Sequence, residues 1–117
     1  MQYMLMIFGN ESGMANMTKK DGEQMSAAYA IYTEALVKGG AMVGGDRLHA
    51  SADASTVRVS GGKTKVLNGP YAESKEQLAG YYIIEAKDLD EAIAWAAKCP
   101  GAQTGVMEVR PIWKMAM

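Results

Sequence analysis

Cysteine and histidine each occur once in these 117 residues. A lone thiol, Cys99, excludes an intramolecular disulfide framework and fits a reducing cytosol. With only His49 beside it, no His/Cys cluster exists to hold zinc. Long apolar runs are missing too: none approaches the ~18 residues of a membrane span. Met1-Gln2-Tyr3 lacks the charged start of a signal peptide, so a cytoplasmic protein without membrane contact is expected. Neither sign of charge dominates. Twelve Lys and Arg against thirteen Asp and Glu leave a net charge of −1, scattered along the chain where nucleic acid would need a basic stripe. There is no P-loop and no Gly-x-Gly-x-x-Gly after a strand, so nothing in the residues calls for a nucleotide, a metal or another cofactor.

What the chain does have is the material of one small domain over residues 1–117. Its surface-to-volume ratio is high, which favours covering one face with a partner. Ten methionines suit an adaptable core or an apolar pocket. Gln2 to Phe8 reads as a strand that is apolar on both sides, with Tyr3, Leu5 and Ile7 on one and Met4, Met6 and Phe8 on the other. A polar loop from Gly9 to Met17 leads to Thr18, whose Thr-x-x-Asp21 spacing resembles a capping box. Met25, Ala28, Tyr29, Tyr32 and Leu36 then fall at helical spacing until Gly39-Gly40 stops the helix.

Ala41 to Val43 reads as a short strand, after which Gly44-Gly45-Asp46 lets the chain leave the sheet. Ser55 to Ser60 and Lys63 to Leu67 form a hairpin around Gly61-Gly62. Alternation puts Val57, Val59, Thr64 and Val66 on one side and Arg58, Lys63 and Lys65 on the reverse. Gly80 to Ala86 is a further strand. Asp88 to Glu91 opens a second helix that runs to about Cys99, where Pro100-Gly101 ends it, and Val106 to Trp113 is the last strand.

The order β-α-β, inserted hairpin, β-α-β is the split βαβ pattern of an α+β, ferredoxin-like fold with an antiparallel sheet. Two helices cover only one face of such a sheet. The second apolar side of the first strand needs another layer, most simply the same face of a second copy, so a homodimer is expected.

Asn68 to Tyr82 is the best place to look for a site. Gly69-Pro70 forces a sharp turn, which delivers Glu73, Lys75 and Glu76 to the mouth of the strand at Tyr81. Two neighbouring carboxylates can divide acid and base duties; the alternative is a solvated helical turn. Tyr29 has a phenol that could reach a pocket, or be core. Arg58, Tyr71, Tyr32, Asp46 and His49 are the candidate contacts of a small-molecule ligand, Arg58 because a guanidinium matches a carboxylate bidentately. Arg110 has the same chemistry, with Glu108 or Glu85 as its simpler partner. His49 alone has an unperturbed pKa near neutrality, but it sits in a Gly- and Ser-rich loop with only Asp46 at a recognisable orienting distance. Trp95 reads as helix packing.

The stretch NGPYAESKEQLAGYYIIEAKDLDEAIAWAAKCPGA, followed by VMEVRP and preceded by STVRV, resembles the DGPF proteins of the YCII-related group, over Tyr3 to Trp113. The name-giving tetrapeptide differs, with Asn68 in place of Asp and Tyr71 in place of Phe, so no carboxylate role carries over there. The resemblance implies a ferredoxin-like fold paired into a dimeric α/β barrel, and for most members no established reaction. Some relatives have a histidine on the first helix as part of an acid/base pair; here that position falls at Tyr29. Genes of this type often lie beside those of extracytoplasmic-function sigma factors. Two functions follow as expectations: a ligand-binding or regulatory accessory module with an apolar cleft between sheet and helix, or a cofactor-free lyase or isomerase in that cleft, as in relatives that act on ring-cleavage lactones.

Overall fold

The computed structural model describes residues 1–114. β1 (Gln2–Gly9) is followed by a short helix α1 (Glu11–Ala15), the long helix α2 (Lys19–Lys38) and β2 (Met42–Arg47). A single 3-10 turn at Ser51–Asp53 leads into the hairpin β3 (Ser55–Ser60) and β4 (Lys63–Asn68). Then come β5 (Gln77–Glu85), α3 (Leu89–Lys98), a one-turn helix α4 (Gly101–Thr104) and β6 (Val106–Pro111). The main sheet has the order β2-β5-β1-β6, antiparallel throughout. This is the ferredoxin-like α+β arrangement: β1 and β2 flank β5, β5 and β6 flank β1, and a helix makes each crossover. β3 and β4 pair only with each other, as a separate two-stranded sheet.

Local sequence explains the helix ends. Thr18 Oγ1 accepts from the Asp21 amide at 3.1 Å, and Asp88 Oδ1 accepts from the Glu91 amide at 2.9 Å, each side chain satisfying an amide that a helix start leaves free. α3 stops at Lys98 because the proline at 100 drives Cys99 into extended backbone, φ −65° and ψ 134°. The chain resumes helix immediately as α4, where Pro100-Gly101 predicts a plain stop.

Helix and sheet close on one apolar layer. Tyr3, Leu5 and Ile7 of β1 meet Tyr32 and Leu36 of α2 and Ala92 and Ala96 of α3, with Ile84, Ala86 and Cys99 completing the buried set. Tyr32 Oη donates to the Trp95 carbonyl at 2.7 Å, and its ring meets those of Tyr82 and Trp95 edge-on. Burying these phenols costs little because each hydroxyl has a partner. The opposite side of β1, with Met4, Met6 and Phe8, is only half-buried.

Three elements differ from expectation. The Gly9–Met17 loop contains α1, capped by Asn10, whose side chain accepts from the amides of Ser12 and Gly13. β2 does not leave the sheet at Gly44-Gly45 but pairs as far as Arg47, with an irregularity between Met42 and Gly44. β5 begins at Gln77, three residues before Gly80. The last two share a cause: a Cβ on Gly45 would lie 2.7 Å from the Tyr81 carbonyl oxygen, and one on Gly80 2.8 Å from that of Asp46. These glycines let β2 and β5 approach closely; they do not interrupt the strands.

Gly45→Ala should therefore destabilise the fold by about 1–3 kcal/mol, because the opposing atom is backbone. Gly9→Ala, which meets nothing within 4 Å, should stay within about 0.5 kcal/mol of the parent. Urea unfolding of both variants checks the contrast; equal midpoints would contradict it.

Candidate functional site

The strap of residues 69–76 between β4 and β5 is stitched to itself and to α1. Ser74 Oγ donates to the Glu76 carbonyl, Gln77 Nε2 donates to the Ser74 carbonyl at 2.7 Å, and the Glu11 amide donates to Gln77 Oε1 at 3.0 Å. Glu73 and Lys75 are exposed and Glu76 is half-buried. Lys75 and Glu76 line a shallow, open cleft of about 340 Å³ together with Phe8, Ser74, Val106 and Glu108. Glu73 is not part of its lining.

Strand register explains why these residues converge. Phe8 stands opposite Val106 and Met6 opposite Glu108, so Phe8, Val106 and Glu108 share the side of the sheet that the helices leave bare. The cleft thus has an apolar floor and a polar rim at one end of that open face. Arg110 Nη2 lies 2.6 Å from Glu108 Oε2, off the direction of a hydrogen bond, so the oxygen is neutralised without an aligned donor. Lys75 and Glu76 have no ion-pair partner among the described residues.

The other candidates lie elsewhere. Tyr29 and Tyr32 are on the far side of the sheet, in the layer where a cleft between sheet and helix is expected and where core side chains sit instead. Tyr29 Oη is 4.0 Å from Cys99 Sγ. Burial, with Cys99 nearby, pushes both phenols well above the ordinary tyrosine value, so neither is a base near neutral pH. Burial also raises the Cys99 thiol. Asp46 accepts from Tyr81 Oη at 2.7 Å, and this hydrogen bond, with the carboxylate charge, raises the Tyr81 phenol. His49 Nδ1 meets Asp53 Oδ2, not Asp46, at 3.1 Å, with the imidazole 90% exposed. Arg58 and Tyr71 belong to the hairpin and the strap beside it, the guanidinium 5.9 Å from the ring centroid. A second concavity, of about 310 Å³, lies between the helices beside Gly39, Trp95 and Lys98.

Sequence reasoning did not find Phe8, Val106, Glu108 or Ser74 as site residues. Alternation assigns each strand residue to a side, but only the pairing register brings these side chains to one end of one face.

A family model described as the YCII-related domain matches residues 1–116. The chain belongs to the YCII-related family. An uncharacterised protein of Rhizobium meliloti (strain 1021) is 35% identical to this YCII-related chain over 114 residues, 96% of the chain and 92% of the relative. Family membership thus brings the fold without a reaction. No helix among the described residues is long and apolar enough to cross a membrane.

The buried Tyr32 and half-buried Tyr29 phenols make stability depend on pH in a stated direction. Their folded pKa values lie above the unfolded value of 10.0, so their contribution is complete below about pH 10 and is lost as pH rises beyond it. The urea midpoint should hold between about pH 8 and 9 and fall by about pH 11, and absorbance at about 295 nm should show part of the tyrosines ionising only on unfolding. Ionisation of all six tyrosines near pH 10 in the still-folded protein would contradict this.

Proposed function

We propose that this YCII-related chain is a homodimeric small-molecule-binding accessory module, with two open sheet faces meeting and the ligand held at the Phe8–Val106 end. The observation that carries this reading is the cleft itself. Its floor of Phe8 and Val106 suits an apolar or aromatic body, and Lys75 on the rim suits an anionic end. The half-buried row of Met4, Met6 and Phe8 on the same face supports the pairing of two copies. A cytoplasmic setting and a link to an extracytoplasmic-function sigma factor belong to the same reading. The first is supported by the buried free thiol of Cys99, the second by the family resemblance alone.

A second reading has one observation in its favour. Glu76, Glu108 and Lys75 line the same cleft, and a cofactor-free lyase or isomerase needs only a positioned acid and base. Tyr29, the residue at the relatives' histidine position, is not part of that lining. For this reason binding is the preferred reading.

Light scattering at micromolar concentration should give twice the chain mass. The aromatic anion 8-anilinonaphthalene-1-sulfonate should bind saturably, and Lys75→Glu should weaken it about tenfold or more, the scale of a lost charge-assisted contact. His49→Ala should leave it unchanged. Unsaturable binding, or equal affinity in the Lys75 variant, would contradict the binding reading. Turnover of a lactone that Glu76→Gln abolishes would favour the enzyme.

A further inference from the structure

The hairpin β3–β4 is an arm that stands off the body. The molecule measures 48 × 46 × 18 Å with a radius of gyration of 16.3 Å, against about 13 Å for a compact chain of this length. Gly61 and Gly62, at φ 57° and 76°, form the tight turn at its tip. Val57 pairs with Val66 and Val59 with Thr64, so the three valines share one side, and they are 58–65% exposed. Arg58, Lys63 and Lys65 occupy the reverse. A two-stranded hairpin alone is marginal in water, and this one has an apolar side that nothing among the described residues covers.

The arm is nevertheless held at its base. The Gly69 amide donates to the Ala54 carbonyl at 2.7 Å, and Thr56 Oγ1 donates to the Gly69 carbonyl at 2.8 Å. Glu11 accepts from both the amide and the hydroxyl of Ser51, at 2.6 and 2.7 Å. These contacts fix the arm's direction, and an arm already ordered loses little freedom on docking.

We propose that the arm of one copy lies valine side down on the Phe8–Val106 end of a second copy's open face and so roofs the cleft there. The proposal rests on the open-face pairing read above. Area argues for it. Four strands of about six residues present a face of about 400 Å² at ordinary strand spacing, about half the ~800 Å² per partner of a standard stable interface. The arm adds about 200 Å² on its valine side. Exchanged twice across a two-fold axis, face and arm bring each copy to about 600 Å², which reaches the lower end of stable interfaces where the face alone does not. The arm's valine side and the open face then cover each other across the two copies, and the Ser74–Glu76 cleft is complete only in the dimer.

Mixing Val59→Cys protein with Val106→Cys protein under mild oxidation tests this. Both positions are at least half exposed, at 65% and 50%, so neither change threatens the fold, and the raised, buried thiol of Cys99 stays out of the exchange. The mixed disulfide dimer should exceed the like-with-like products of either protein alone. Val59→Asp should weaken dimerisation at least about tenfold, as a charge set against an apolar surface does, while its thermal midpoint measured at a dilution that separates the copies matches the parent's. A wild-type dimer with no mixed cross-link and with Val59→Asp as tightly paired as the parent would overturn the arm's role and leave open-face pairing standing. A wild-type monomer at micromolar concentration would overturn both.

Discussion

One constraint orders this structure: β1 is apolar on both sides, and the helices lie on only one of them. Tyr3, Leu5 and Ile7 point into the layer with Tyr32, Leu36, Ala92 and Ala96 and are buried. Met4, Met6 and Phe8 point the other way and stay half-covered. The split βαβ topology makes this unavoidable, since both crossovers are right-handed and place their helices on the same face. The candidate cleft beside Phe8 and Val106 lies on the face left bare.

The packed side and the bare side do different work. Between sheet and helices, Tyr3, Tyr29, Tyr32, Tyr82 and Trp95 fill the space, and two of the hydroxyls are spent on internal partners: Tyr32 on the Trp95 carbonyl at 2.7 Å and Tyr82 on Thr33 at 2.8 Å. Hydroxyls so engaged stabilise the fold, and burial raises the Tyr32 phenol and withdraws it from base chemistry near neutral pH. On the bare side, Lys75 and Glu76 are held by the stitched strap above Phe8 and Val106, where water or a ligand can reach them. The chemistry of this chain is therefore best sought away from the helix layer, on the face that the helices leave bare.

Much of the architecture was legible in the sequence. The two-sided alternation of Gln2 to Phe8, the Thr18 and Asp88 caps and the Gly61-Gly62 turn each rest on local physics, and each element stands where that physics puts it. Strand ends were harder. Gly44-Gly45 and Gly80 look like breaks in one dimension, yet they are the positions where the β2 and β5 backbones come closest. The candidate cleft was half legible: the turn at Gly69-Pro70 pointed to Lys75 and Glu76 as candidates, but the Phe8, Val106 and Glu108 that line the cleft with them lie far away in sequence and are joined only by strand register. Asp53 as the partner of His49 was missed for a related reason, since the i, i+4 spacing becomes a contact only once the 3-10 turn at Ser51–Asp53 forms.

The central claim is that the open sheet face is buried against a second copy. Oxidative footprinting of the methionines by hydroxyl radicals reads it directly, because Met4 and Met6 lie on that face while Met14 and Met17 are 41% and 37% exposed beside α1. At micromolar concentration Met4 and Met6 should oxidise much more slowly than Met14 and Met17, and dilution far enough to separate the copies should bring the rates together. Oxidation of Met4 and Met6 at a rate independent of protein concentration and comparable to that of Met14 and Met17 would show the face open to water and contradict the account.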